Sequence, residues 1–322
     1  MDAYIGVDVG RTTRIAVVDA SGRILSQRRI NTVLTDGRSL VDQLIREVVA
    51  LKNVSQQTVL AVGVGLPGLV DIDQQVQILP NLPDISAIDI RSELAAAVSL
   101  PVILDNDANA ATYGEWKCGA AKNANNLVYI SIGTGIGGGI VLGGKMQRGA
   151  RGYAGEFGHM KVGLQELDCS CGSVGCLETV ASGPNIVRRA REMIFESPTY
   201  MRSVLASKIS KRLTCEDIVE AAMQGDELAM RVISSTANYL GTAIANVINL
   251  FNVELVVLGG PVMTTSTILL EYIREYLKQG SFPKLYDCCK LVAASLGDNA
   301  GVIGSAIMAQ DRLSEQRMAA RG

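Results

Sequence analysis

Residues 127–149 read LVYISIGTGIGGGIVLGGKMQRG. The apolar run Leu127–Ile132 predicts a buried strand, and Ile140–Leu142 marks a second one. Between them, Gly133, Gly135 and Gly138 match the G-x-G-x-x-G spacing of a dinucleotide site. That fingerprint requires a helix to follow, with its N-terminus facing a pyrophosphate. Gly139, Gly143, Gly144, Gly149 and Gly152 follow instead, and no helix tolerates so many glycines. The segment is therefore strand, glycine turn, strand. Gly63, Gly65 and Gly68 repeat the fingerprint spacing. Gly139, Gly144 and Lys145 approach a P-loop, but Met146 stands where a Mg²⁺-binding Ser or Thr is needed.

A second segment has the same layout. YIGVDVGRTTRIAVVD (residues 4–19) also reads as strand, Gly/Thr-rich turn, strand. Two similar α/β lobes, each opening with such a hairpin, would account for the echo, and so would two unrelated hairpins. Glycine turns between paired strands expose consecutive N–H groups and admit a phosphate closely. Each loop alone reads as a tight hairpin. Two of them facing each other across a cleft would clamp a triphosphate, with Asp8 holding Mg²⁺ through water.

Further strands are expected at residues 24–30, 59–67 and 102–108, and a helix over 39–53, where Leu40, Leu44, Val48 and Leu51 share a face. Beyond residue 183 helices prevail, over 185–196, 216–224, 226–251 and 264–279, with a buried strand at 254–260 and a final helix over 300–313. The most apolar run, residues 239–263, is broken by three asparagines, a glutamate and a Gly-Gly-Pro turn. It reads as helix into strand, not as a membrane span.

The chain has 322 residues, 48% apolar and 19% charged, enough for one large domain or two ordinary ones with a substantial core. A net charge of −2 without a basic block argues against a nucleic-acid surface. Asp2 and an early glycine argue against a signal peptide. A cytoplasmic location is expected, where clustered cysteines bind metal more often than they form disulfides.

The sole histidine, His159, precedes three of the seven cysteines, Cys169, Cys171 and Cys176. Three thiolates and an imidazole suit tetrahedral Zn²⁺, and Gly172 and Gly175 let a short loop fold around it. Buried unliganded cysteines around a core histidine are the plainer reading, but four candidate ligands within one short segment favour zinc. Four protein ligands leave no open position, so the metal is expected to be structural. His159 is then committed, and acid–base chemistry falls to a carboxylate. Asp105, Asp107, Glu156 and Glu178 lie close to polar turns. Asp107 stands out because its segment ends a buried strand, where α/β folds place ligands.

Taken together, these residues resemble the ROK family of sugar kinases and regulators, within the actin-like/hexokinase superfamily. The resemblance runs through VDVGRTTRIAVVD, GVGLPGLVD, LDNDANAATYGEW, SIGTGIGGGIV, RGARGYAGEFGHM, CSCGSVGCLE, VVLGG and GDNAGVIGSA. It implies an α/β chain of two actin-like (ribonuclease H-like) lobes around a central cleft with a structural zinc loop. Residues 1–118 with 300–322 would form the N-terminal lobe, and 119–299 the C-terminal lobe. It implies Asp107 as catalytic base, and Gly65, Asn106, Asp107, Glu156, His159 and Glu178 as sugar contacts. His159 would serve zinc with one ring nitrogen and the sugar with the other. Asp8, Gly10, Thr12 and Thr13, with Gly133, Thr134, Gly135, Gly137, Gly138 and Gly139, would line the phosphate side, and Gly259 and Gly260 the adenosine side.

The family's first loop reads Gly-Gly-Thr-Lys or Gly-Gly-Thr-Asn, whereas this chain has Gly10-Arg11-Thr12-Thr13 in a hairpin one residue shorter. Arg11 would either reach a phosphate or crowd the loop.

The function expected is ATP-dependent phosphorylation of a hexose, with glucose the first choice, using Mg²⁺ and structural Zn²⁺, and lobe closure excluding water. Mannose, fructose, N-acetylglucosamine and N-acetylmannosamine kinases share these motifs. The competing class is a sugar-responsive regulator. ROK repressors carry a helix-turn-helix before the first phosphate loop, for which the four residues preceding this one leave no room. A homodimer or homotetramer, with no nucleic-acid or membrane partner, is the expected state.

Overall fold

The computed structural model describes residues 2–79, 82–163, 167–209 and 212–320. The chain opens with β1 (Asp2–Asp8), β2 (Thr12–Asp19) and β3 (Ile24–Asn31), then α1 (Gly37–Val54) and β4 (Thr58–Leu66). Two short strands, β5 (Leu69–Val70) and β6 (Val76–Ile78), pair with each other before α2 (Ile90–Val98), β7 (Val102–Asn106) and α3 (Asp107–Cys118). The second set is β8 (Leu127–Ile132), β9 (Ile136–Leu142), β10 (Lys145–Met146), α4 (Glu178–Ala181), α5 (Gly183–Glu196), α6 (Cys215–Met223) and α7 (Glu227–Phe251). After these come β11 (Leu255–Gly259), α8 (Pro261–Thr264), α9 (Thr267–Gly280), α10 (Pro283–Cys288), β12 (Lys290–Ala293) and α11 (Ala300–Ala319).

The first sheet is ordered β3-β2-β1-β4-β7 and the second β10-β9-β8-β11-β12. Each places three consecutive strands in reverse order, then two later ones. The echo between residues 4–19 and 127–149 is thus the sequence trace of two α/β lobes, not of unrelated hairpins. In the first sheet β1, β4 and β7 run parallel, so their carboxyl ends meet on one side. In the second, β11 runs parallel to both β8 and β12. By packing, the chain divides into one unit of Met1–Ala124, Gly139–Gly155 and Asp298–Gly322, and another of Asn125–Gly138 and Glu156–Gly297.

Gly63, which fits a fingerprint by spacing, has a packing role that it shares with Gly6. Gly6 of β1 and Gly63 of β4 are register partners. A Cβ on Gly6 would lie 1.9 Å from the Val302 carbonyl oxygen, and one on Gly63 1.9 Å from that of Ser305. Only glycine lets α11 lie this close across the sheet. The P-loop match also dissolves: Gly143 (φ +58°) and Gly144 (φ +67°) make the two-residue turn from β9 to β10, and two positive φ values in succession suit a tight hairpin.

Several elements have no counterpart in the sequence reading, among them α2, α3 and β12. Helix α2 and strand β12 are short, and α3 follows β7 without a connecting loop. Segments 226–251 and 300–313 were read as helices and are α7 and α11, the latter extending to Ala319. The run 239–263 divides among α7, β11 and α8, and no helix among the described residues is long and apolar enough to cross a membrane.

Candidate functional site

In the first unit, candidate residues collect at the carboxyl ends of β1, β4 and β7. Asp8, Gly65 and Asp105 are register partners in a row across the sheet. One residue beyond Asp105, Asn106 caps α3: its side-chain oxygen accepts from the N–H groups of Ala108 (2.9 Å) and Asn109 (3.1 Å), and its amide donates to the Gly68 carbonyl (2.9 Å). The chain therefore turns from strand to helix with no spare residue, and Asp107 becomes the first helical position. A carboxylate there sits in the positive end of the helix dipole. Asp107 accepts from Ala108 N–H at 2.8 Å. A Cβ on Gly65 would lie 3.2 Å from the Asp107 Cα, so Gly65 leaves room for the start of α3.

Asp105 is occupied elsewhere. It is buried and accepts from the Asn109 amide at 2.9 Å and from Arg148 Nε and Nη2 at 2.8 and 2.6 Å. This charge pair ties segment 139–155 to β7. The sequence gives no signal for it, because the partners lie far apart in the chain.

Among the residues expected to line a phosphate, Asp8 faces Arg14 (3.9 Å), whose other nitrogen donates to Asp298 at 2.6 Å. The Asp8 carboxylate also lies against Gly301 at the start of α11, where a Cβ would come within 2.7 Å of its Cγ. Burial pushes the Asp8 carboxyl up to about 6; Arg14 opposes this and Asp298 adds to it. Arg14 and Asp298 were not among the sequence candidates. Gly10 is open and Arg11 exposed, whereas Thr13 is fully buried, with its hydroxyl 2.8 Å from that of Thr32. Thr32 also donates to the Gly10 carbonyl at 2.6 Å, so the first loop is braced from the residue that follows β3. Thr12 opens β2.

In the second unit, the glycine loop between β8 and β9 lies beside the Gly259-Gly260 turn that ends β11. A Cβ on Gly133 would touch Pro261 at 3.4 Å, and Gly260 takes φ +87° against the backbone of Ile132. Thr134, Gly135, Gly137 and Gly138 continue the loop into β9. Within the first unit, Gly139 packs on Thr112 and Asn109 of α3.

Glu178, the first residue of α4, accepts the Ile136 N–H at 2.8 Å through Oε2. A Cβ on Gly135 would come within 2.6 Å of that oxygen. The proposed sugar ligand thus also braces the glycine loop, a link with no trace in the sequence. Glu156 lies 3.7 Å from His159 Nε2. Partial burial holds Glu156 above the usual carboxylate range, with Glu178 adding and His159 opposing.

His159 Nδ1 points the other way, 3.6 Å from Cys169 Sγ, while Cys171 and Cys176 sulfurs lie 3.8 Å apart. The four ligand atoms fall within 4.8 Å of one another. Tetrahedral zinc with its usual bond lengths needs S···S of about 3.8 Å and S···N of about 3.5 Å, so the set fits the ion. Gly172 (φ +84°) and Gly175 (φ +70°) supply the left-handed turns that close the loop. Lys161 donates to Cys176 Sγ at 3.1 Å and to Ser173 Oγ at 2.6 Å. Leu177 N–H returns to the Met160 carbonyl at 2.8 Å, so the loop hands directly on to Glu178.

The chain's overall fold is shared with known proteins. A glucokinase from Halalkalibacterium halodurans is 38% identical over 312 residues, spanning 94% of this chain and 93% of that protein. The crystal structure of a ROK family glucokinase from Streptomyces griseus in complex with glucose and AMPPNP superposes with a TM-score of 0.84 at 34% identity, over 96% of this chain and 99% of that one. A ROK family transcriptional regulator, a homologue of the E. coli MLC protein, gives 0.85 at 32% identity, over 96% of this chain and 78% of that one. Residues 4–312 match the ROK family pattern, and the chain belongs to the ROK family.

Proposed function

We propose that the chain is an ATP-dependent hexose kinase whose acceptor is glucose, yielding ADP and glucose 6-phosphate. The observation that carries this reading is Asp107 at the first position of α3, beyond the carboxyl ends of the parallel strands. There it accepts the proton of the sugar's 6-hydroxyl as that oxygen attacks the γ-phosphorus. Asn106, Gly65, Glu156, His159 and Glu178 orient the sugar, with Nε2 the histidine nitrogen left for a hydroxyl. The loops at Gly10–Thr13 and Gly133–Gly139 bind phosphates through backbone N–H groups, and Gly259-Gly260 borders the adenosine. Asp8 would help hold Mg²⁺, which when bound would neutralise charge on the phosphates. His159, Cys169, Cys171 and Cys176 would hold zinc, which would take no part in transfer.

A coupled assay of ADP release over glucose, mannose, fructose, N-acetylglucosamine and N-acetylmannosamine tests this. Glucose is expected to give the highest kcat/KM. Sugar binding without ADP release from any member of the panel would instead identify a sensor.

Asp8 adds a pH dependence. Its proton is held to about pH 6 in the folded chain, above the value of 3.8 for a free carboxyl. Between those values the folded state binds the proton and the unfolded state does not, so this group's contribution to stability falls as pH rises. For function the sign is opposite, because the charged form is the one that holds Mg²⁺. kcat/KM for MgATP should therefore drop by up to about tenfold per pH unit below about pH 6. A flat profile between about pH 5 and 7 would remove Asp8 from the metal's surroundings.

A further inference from the structure

Outside these residues, the second unit contains a cavity of about 570 Å³ between α5 and α7. Three arginines line it: Arg188, Arg189 and Arg231. Arg188 is spent, with Nη1 on both oxygens of Glu192 (2.7 and 2.8 Å), Nε on Asn185 and Nη2 on the Thr179 carbonyl. Arg189 differs. Its half-buried guanidinium donates to the Val180 carbonyl (2.8 Å), to Thr236 Oγ1 (3.0 Å) and to Ser235 Oγ, and lies 5.5 Å from the Tyr239 ring centre. None of these partners is charged. Among the described residues, Arg231 donates to the Tyr200 hydroxyl, at 3.0 Å. Among the described residues, neither Arg189 nor Arg231 is paired with a carboxylate. Glu196, at the exposed rim, is the remaining acid of the lining. Partly burying a guanidinium with too little opposite charge is costly, and burial holds Arg189 below its usual range, with Arg188 adding and with Tyr239 and Glu192 opposing only in part. An anion entering the cavity would remove that cost.

We propose that this cavity is a second ligand site, separate from the Asp107 residues, for a sugar phosphate. Arg189 and Arg231 take the phosphate, for which guanidinium forks are well matched. The volume is well beyond what bare phosphate fills, and Tyr239 and Ser235 offer a ring face and a hydroxyl to the sugar. The site also has a route to catalysis. Arg188 and Arg189 hold the carbonyls of Thr179 and Val180, which belong to the short helix that Glu178 opens. The choice of a hexose phosphate over other phosphate esters rests on the kinase reading; the anion site itself does not.

The test is calorimetric titration of glucose 6-phosphate into the full chain, first saturated with glucose and a non-hydrolysable ATP analogue so that the catalytic residues are occupied. One further molecule per chain is expected to bind. Arg231→Gln, at an exposed position, should weaken it at least about tenfold, or about 1.4 kcal/mol. Met193→Trp, which puts a bulky ring into the lining without changing charge, should weaken it as well. Inorganic phosphate should bind at least about tenfold more weakly than the ester. No binding at ligand concentrations on the order of 10 mM, unchanged binding in both variants, or equal affinity for bare phosphate would overturn the proposal. The preliminary saturation reports on the kinase reading by itself. If glucose and the analogue fail to bind, that reading falls, and the same titration on the unliganded chain still decides the cavity.

Discussion

Asp107→Asn is expected to lower kcat by about 10²–10⁴-fold while glucose still binds. The side chains match in shape, and an asparagine oxygen can still accept the Ala108 N–H that Asp107 accepts at 2.8 Å. The cap of α3 belongs to Asn106, so the helix start is not at risk. What the amide lacks is basicity: it cannot take the hydroxyl proton as the oxygen attacks. The KM-against-kcat split separates this from a binding defect. A variant with near-normal turnover would show that another group takes the proton. Histidine is a poor substitute candidate, because the chain's only one has Nδ1 turned toward the cysteine sulfurs.

Loss of zinc is expected to have the other large effect, of a different kind. The Cys176 side chain is fully buried and Leu177 and Glu178 follow it directly. His159 lies in the same cluster and within 3.7 Å of Glu156. Metal removal by a strong chelator, or Cys176→Ala, therefore loosens three proposed sugar ligands together. Structural zinc contributes on the order of 10 kcal/mol in small zinc domains, so a clear fall in melting temperature should accompany the loss. KM for glucose should rise at least about tenfold. Glu178 also holds the Ile136 N–H, so KM for ATP should rise as well, through the glycine loop. Metal content by elemental analysis, calorimetric melting and both KM values check this. A fully active, zinc-free preparation would contradict it.

Much of this was legible in the sequence because it rests on local rules. The absence of a helix after Gly133–Gly139 followed from glycine's cost in helices, and β9 occupies that stretch. The His–Cys spacing foretold a cluster that the fold brings within tetrahedral reach. Nonlocal contacts left no such trace. Arg14 with Asp298 and Asp105 with Arg148 are charge pairs whose members lie far apart in the chain, so nothing in either neighbourhood names the other. Gly63 and Gly65 matched a nucleotide fingerprint by spacing, yet one clears α11 and the other clears α3. Helix α3 was missed because "LDNDANA" reads as a polar turn after a strand. Asn106 closes that turn in a single residue by capping the helix itself.

The most direct test of the account follows the phosphoryl group itself. Glucose and ATP with Mg²⁺ are incubated with the zinc-loaded chain, and the product is examined by ³¹P NMR alongside the Asp107→Asn variant. The account predicts a phosphomonoester on the glucose 6-oxygen, formed in step with ADP, with the variant inactive though glucose-bound. Phosphate released to water, a phosphoryl group on another hydroxyl, or the same product made at the same rate by the variant would contradict it.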